Sequence, residues 1–284
     1  MRIKYPLIMA AFAGLGKTEF AAKFSNAGGL GIITALNYTL TNFKEQLEKM
    51  QQLTNKPFGI NLTVLPPGVR FIDANITNDD YLKYLEIALD DGVNIFTTSA
   101  YQATFIGERV HEAGAYWFHK CALMEHAISA EKAGADAITL IGMEASGFKN
   151  PYQHTTLVNL TMAKRLLKVP IIAAGGIGDA HGFLGALAMG AEAICLGTAI
   201  LSSEESPLSP QIKEDWIKMD IFNEEYHKQL YHFELKGTRV PSTAIGLQDS
   251  ILPLKTIIEN IMTGAKNILK SWGFTKDEFN TTSF

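Results

Sequence analysis

Two rhythms of apolar residues alternate along this chain. Short runs with the length of buried strands fall at Pro6 to Met9, Gly29 to Thr34, Phe58 to Thr63, Asn94 to Thr98, Tyr116 to Lys120, Ala137 to Ile141, Ile171 to Ala174 and Ala193 to Leu196. Between them, segments such as Phe43 to Leu53, Tyr81 to Leu89, Leu123 to Ala133, Leu157 to Leu167 and Asp179 to Met189 repeat their apolar residues at helical spacing. Acidic, Asn or Thr residues stand where several of these helices need an N-cap. Strands that alternate with single helices lie parallel, because each helix carries the chain back to start the next strand in the same direction. Eight such units predict an α/β fold closed into a (β/α)8 TIM barrel, with an open doubly wound sheet as the alternative. In a barrel the reactive groups gather at the C-terminal ends of the strands. Here those ends are Ala10 to Ala13, Ala35 to Tyr38, Asn61 to Pro67, Ser99 to Gln102, Cys121, Gly142 to His154 and two later glycine turns.

The rhythm stops after Leu201. Ser202 to Pro210 is a Ser/Pro/Glu-rich connector, and Gln211 to Phe284 reads as helices, notably Ile251 to Trp272, without further strands. The expected division is a barrel over residues 1–205 and a helical C-terminal extension over 206–284, packed on it. Within the extension, Gly237 to Thr243 is the one segment with loop chemistry suited to reaching back over a site; a plain connector is the other reading.

The two glycine turns close Val169 to Thr198, a strand, turn, helix and strand in succession. Gly175 and Gly176 end the first of these strands, and Gly197 and Thr198 end the second. Both turns open on the same sheet edge, where uncovered backbone N–H groups form a phosphate cradle. Phosphate sites in barrels usually lie after strands 7 and 8, and this is the last strand pair.

Two other glycine motifs are weaker. Ala11 to Thr18 nearly spells a P-loop, but Ala11 replaces its first glycine and no later strand ends in an acidic residue suited to magnesium. Gly28-Gly29-Leu30-Gly31 has a helix before it and a strand after it, the reverse of a dinucleotide fingerprint, so it reads as a helix C-terminal turn. The loop Gly142 to His154 is the longest at the strand ends, and Glu144 and His154 are its titratable candidates. Either side chain can also be simply solvated there.

Composition narrows the partners. With 47% hydrophobic against 19% charged residues, a large buried core is available. A net charge of -4 and the absence of a Lys/Arg-rich run argue against nucleic acid or an anionic membrane. Cys121 and Cys195 lie in strand-like runs and form neither a metal-ligand cluster nor a disulfide framework, which suits a reducing cytoplasm. No apolar run reaches the roughly 18 residues of a membrane span, and no cleavable signal pattern follows Met1 to Pro6. The expected partner is a small-molecule substrate, with a homodimer as the expected assembly; a non-catalytic ligand-binding barrel or partner subunit is the competing reading.

Several segments, taken in order, resemble one family. These are Phe24 to Gly31, Gly59-Ile-Asn-Leu (59–62), His119-Lys-Cys (119–121), Lys132 to Ala137, Gly142 to Gly147, Ala173 to Ile177, and Gly197-Thr followed by Glu204-Glu-Ser. Together, from Pro6 to about Ser206, they resemble the nitronate monooxygenases, formerly 2-nitropropane dioxygenases, FMN-binding barrels related to flavin-dependent enoyl-acyl-carrier-protein reductases. The resemblance implies FMN as cofactor and NAD(P)H as an electron donor. It implies that Gly175, Gly176, Gly197 and Thr198 hold the FMN phosphate and that Asn61 and Lys120 face the flavin. It also implies that Ala11 and Phe12 underlie the ring and that Gly147 and Ala174 complete the cofactor contacts. Lys120, Glu144 and His154 are the catalytic candidates.

One position departs from the family pattern. The family loop reads Glu-Ala-Gly-Gly-His, where the histidine is the base that deprotonates neutral nitroalkanes; the matching residues here are Glu144, Ala145, Ser146, Gly147 and Phe148. Phenylalanine accepts no proton. His154 lies six residues further on, and six extended residues span up to roughly 20 Å, so the loop can bring it to the flavin or hold it away.

Overall fold

A computed structural model describes residues 3–65, 76–100, 102–147, 152, 154–231 and 240–274. Its centre is a ring of parallel strands: β1 (Leu7–Met9), β2 (Gly31–Thr34), β3 (Phe58–Val64), β4 (Ile95–Ala100), β5 (Tyr116–Cys121), β6 (Ala137–Ile141), β7 (Ile171–Ala174) and β8 (Ala193–Leu196). From β2 to β8 each strand pairs with the next, and β1 pairs with β8. A bridge from Ile8 to Leu30 joins β1 to the chain entering β2 and closes the barrel. That closure excludes the open doubly wound sheet.

Helices α1 (Thr18–Asn26), α2 (Leu40–Leu53), α3 (Asn78–Asp90), α4 (Thr104–Glu112), α5 (Met124–Lys132), α6 (Thr156–Leu166) and α7 (Ala180–Ala188) connect the strands. Their starts follow local chemistry. The Thr39, Thr155 and Asp179 side chains accept from the amides of Asn42, Val158 and Gly182, and Thr77 with Asp80 forms a full capping box at α3. The Gly28 turn is a helix end, as its order in the sequence predicts: Gly28 takes φ 109° after α1, and its amide bonds back to Ser25.

Beyond β8 come α8 (Thr198–Leu201), α9 (Pro210–Ile217), α10 (Glu224–Tyr231), a 3-10 turn at Thr243–Leu247 and α11 (Leu254–Ser271). In α11, Leu254, Ile257, Ile258, Ile261 and Ala265 are buried in the main core. This face packs on α7 and α1, between the last and first helices of the outer ring. The approach to α7 is close: a Cβ on Gly264 would stand 2.7 Å from the Ala180 Cβ. Among the described residues, no helix is long and apolar enough to cross a membrane.

Candidate active site

The two glycine turns meet as the sequence pattern predicts. Gly175 and Gly176 take φ values of 105° and 71°, a left-handed turn that other residues enter only at a cost. After β8, Gly197 leads into α8, whose first amides have no acceptor within the helix. A Cβ on Gly197 would have only the Ala10 Cβ near it, at 3.9 Å, so the backbone here faces open space. The C-terminal extension reaches this edge: the Ser242 amide donates to Thr198 Oγ1 at 2.9 Å, and the Thr243 amide and hydroxyl each lie 3.3 Å from the Glu144 carbonyl oxygen. Residues 240–243 of the Gly237 to Thr243 segment thus return to the site, while 237–239 fall outside the described residues.

Lys120 stands in a polar row around the barrel. Register pairs Thr63 with Ser99, Ser99 with Lys120, and Lys120 with Thr139. Ser99 Oγ donates to Thr63 Oγ1 at 3.2 Å, Thr63 Oγ1 to Asn61 Oδ1 at 2.7 Å, and Asn61 Nδ2 to Thr97 Oγ1 at 3.0 Å. Lys120 is half-buried, and its side chain takes part in no hydrogen bond or ion pair among the described residues. Its charge draws down the Cys195 thiol pKa, although burial raises that thiol overall.

Over these groups opens one cavity of about 1110 Å³. Ala11, Phe12, Lys120, Gly147 and Ala174 line it together with Gly175, Gly176, Gly197 and Thr198. Single-ligand sites run to roughly 300–1,000 Å³, so the space admits a cofactor and a second molecule. A family model for nitronate monooxygenase matches residues 1–223.

The chain belongs to the nitronate monooxygenase family. That membership makes it an oxidoreductase of flavoprotein type. A probable nitronate monooxygenase of Staphylococcus aureus is 31% identical over 247 residues, covering 75% of this chain and 69% of the relative. One from Staphylococcus saprophyticus is 29% identical over the same length and shares. Among solved structures, FabK from Thermotoga maritima superposes with a TM-score of 0.82 at 27% identity, over 95% of this chain and 96% of the other. A nitroalkane oxidase from Streptomyces ansochromogenes, at 20% identity and TM-score 0.80 over 95% and 98%, shares the fold.

Three expected site residues of this nitronate monooxygenase family member stand away from the cavity wall. Asn61 is 2% exposed, and its amide is spent on Thr97 and Thr63; its strand neighbour on the same face, Thr63, lines the cavity in its place. The Glu144 carboxylate accepts from the amide of Thr156 at 2.9 Å and from its hydroxyl at 2.9 Å, at the first residue of α6. Glu144 also carries the turn, since a Cβ on Gly176 would lie 3.0 Å from its Cβ. His154 is exposed, and its carbonyl oxygen accepts from the Met143 amide at 2.9 Å. Phe148 lies outside the described residues.

The P-loop likeness dissolves on the same geometry. The Gly14 amide donates to Asn37 Oδ1 at 2.6 Å, the Gly16 amide to the Phe12 oxygen and the Lys17 amide to the Leu15 oxygen, so these donors are already taken by the protein. Sequence reasoning assigned no role to His119, which packs with Trp117 on the outer side of β5. Trp117 Nε1 donates to Thr98 Oγ1 at 2.7 Å, and that oxygen lies 2.7 Å from His119 Nδ1. Burial, with His126 adding to it, lowers the His119 pKa to about 4. The neighbouring thiol of Cys121 is pushed up to about 12 by burial and is unreactive.

Proposed function

We propose that the chain is an FMN-dependent oxidoreductase that oxidises nitronates or passes electrons from NAD(P)H to a small acceptor. The observation that carries this reading is the placing of both glycine turns and Lys120 on one cavity. The residues fit the cofactor: open backbone at Gly197 suits a phosphate, Ala11 and Phe12 give an apolar wall, and Lys120 is the one Lys or Arg among the described lining residues. FMN, when bound, supplies two-electron chemistry between donor and acceptor. Gly176, Thr198 and the Ser242 to Ala244 strap would bind and orient the phosphate end, and Lys120 would hold a positive charge beside the redox centre.

The lining residues also bear on the substrate. No carboxylate lines the cavity among the described residues, His119, its pKa lowered to about 4, is a weak base, and His126 lines the cavity from α5, outside the ring of strands. A neutral nitroalkane needs a positioned base to lose its carbon-bound proton, whereas a nitronate has already lost it. The substrate class we propose is therefore the nitronate. A reductase for enoyl thioesters is the second reading, favoured by the likeness to FabK over 95% of the chain.

An absorbance spectrum of the purified protein, then anaerobic mixing with NADH and NADPH, tests the cofactor. Comparing riboflavin with FMN tests the cradle, and equal affinity for the two would sink the phosphate assignment. Parallel assays with a nitronate, its neutral nitroalkane and an enoyl thioester separate the two readings.

A further inference from the structure

The cavity is larger than the mouth of the barrel. One arm leaves the mouth at Cys121 and runs on the outer side of β5, between the first turn of α4 and one face of α5. The α5 wall is His126, Ser129, Ala130 and Ala133, spaced three and four residues apart on a single helix face. Trp117 forms the floor, its indole packed where a Cβ on Gly107 of α4 would stand. No Lys or Arg belongs to this arm among the described residues, so a phosphate or carboxylate finds no partner there.

His119 supplies one directed polar group. Thr98 is fully buried, and its oxygen already accepts the Trp117 indole N–H, so its own proton goes to His119 Nδ1. The neutral imidazole then carries its N–H on Nε2. His119 is 5% exposed and lines the arm, and Nε2 has no partner among the described residues. Unlike Ser203 Oγ, it is not a fully enclosed atom lacking a partner, so its exposure is to the cavity.

We propose that this arm binds the distal part of the substrate, an uncharged aliphatic chain carrying one acceptor oxygen that takes a hydrogen bond from His119 Nε2. The proposal rests on the reading that the mouth is the redox site, since the arm extends from it. His119 is here a specificity-determining residue.

Calorimetric titration of the protein as purified with alkan-2-ones of increasing length tests the arm. Affinity should rise roughly fourfold per added methylene until the arm is full. Each ketone should bind roughly fivefold tighter than the 2-methyl-1-alkene of the same shape, which lacks the oxygen. Ser129 is exposed, so Ser129→Trp tolerates folding and should abolish the dependence on length by filling the arm. His119→Phe should remove the preference for ketone and keep the dependence on length. If that variant does not fold, the ketone and alkene comparison on the wild type still decides the donor, and equal affinities overturn it. Affinity independent of length, or length dependence untouched by Ser129→Trp, overturns the arm. Flavin absorbance on the same samples separates the two readings: colourless protein with length dependence fails the FMN reading alone, and yellow protein without it fails the arm alone.

Discussion

Glu144 and Thr156 are joined twice, carboxylate to amide and carboxylate to hydroxyl, each at 2.9 Å. The same Thr156 hydroxyl lies 3.0 Å from the Gly175 carbonyl oxygen. This pair therefore ties the start of α6 to the glycine turn after β7, and the Glu144 carbonyl ties both to the Thr243 strap.

Glu144→Ala leaves the Thr156 amide and hydroxyl without that acceptor, at a cost of about 1–3 kcal/mol. Thermal unfolding should shift down and flavin should leave more readily, while the pH dependence of turnover keeps its shape. A lost limb in the pH profile with unchanged stability would make Glu144 a proton-transfer group instead.

Gly176 and Gly197 should respond differently to a side chain. At Gly176, φ is 71° and a Cβ meets Glu144 at 3.0 Å, so Gly176→Leu strains the turn, and flavin content and apoprotein stability fall together. At Gly197 the Cβ points to open cavity, so Gly197→Val should lower flavin content while the apoprotein unfolds as the wild type does. Flavin released on denaturation, and urea unfolding of the apoproteins, measure both.

Lys120→Met removes the unpaired charge at the barrel mouth and keeps the length of the side chain. The flavin midpoint potential, followed by spectroelectrochemistry, should drop by tens of millivolts, because a charge in a partly buried site acts through a low effective dielectric. Cys195 should become still less reactive to alkylation, since Lys120 is what draws its pKa down. An unchanged potential would place the ammonium away from the cofactor.

His119 sets an acid limit on stability. Its folded pKa is about 4 against 6.5 for a free imidazole, so below 6.5 the unfolded chain takes up a proton that the folded chain refuses. Its contribution is present above pH 6.5, is lost as pH falls, and levels off near pH 4, where the folded form protonates too. Between pH 7 and 5 the loss is about 2 kcal/mol. Urea unfolding of wild type and His119→Phe at the two pH values should show the difference shrinking by that amount; parallel pH dependences would overturn it.

The strands, their parallel order and the glycine turns after β7 and β8 were legible in the chain itself, because burial period, cap residues and glycine at a strand end are local properties. The resemblance placed Lys120 on the same grounds. For Glu144 and Asn61 the sequence could not name the partners, because a carboxylate or amide at a strand end reads alike whether it faces a ligand or a helix. Only packing showed that Thr156 and Thr97 had taken them. His119 entered only as part of a family mark, and its partner Thr98 sits on the neighbouring strand, a pairing set by register and not by sequence. The reach of Ser242 to Thr198, 44 positions earlier, was likewise left open by the sequence. Contacts at that separation are decided when the barrel closes, and no local pattern records them.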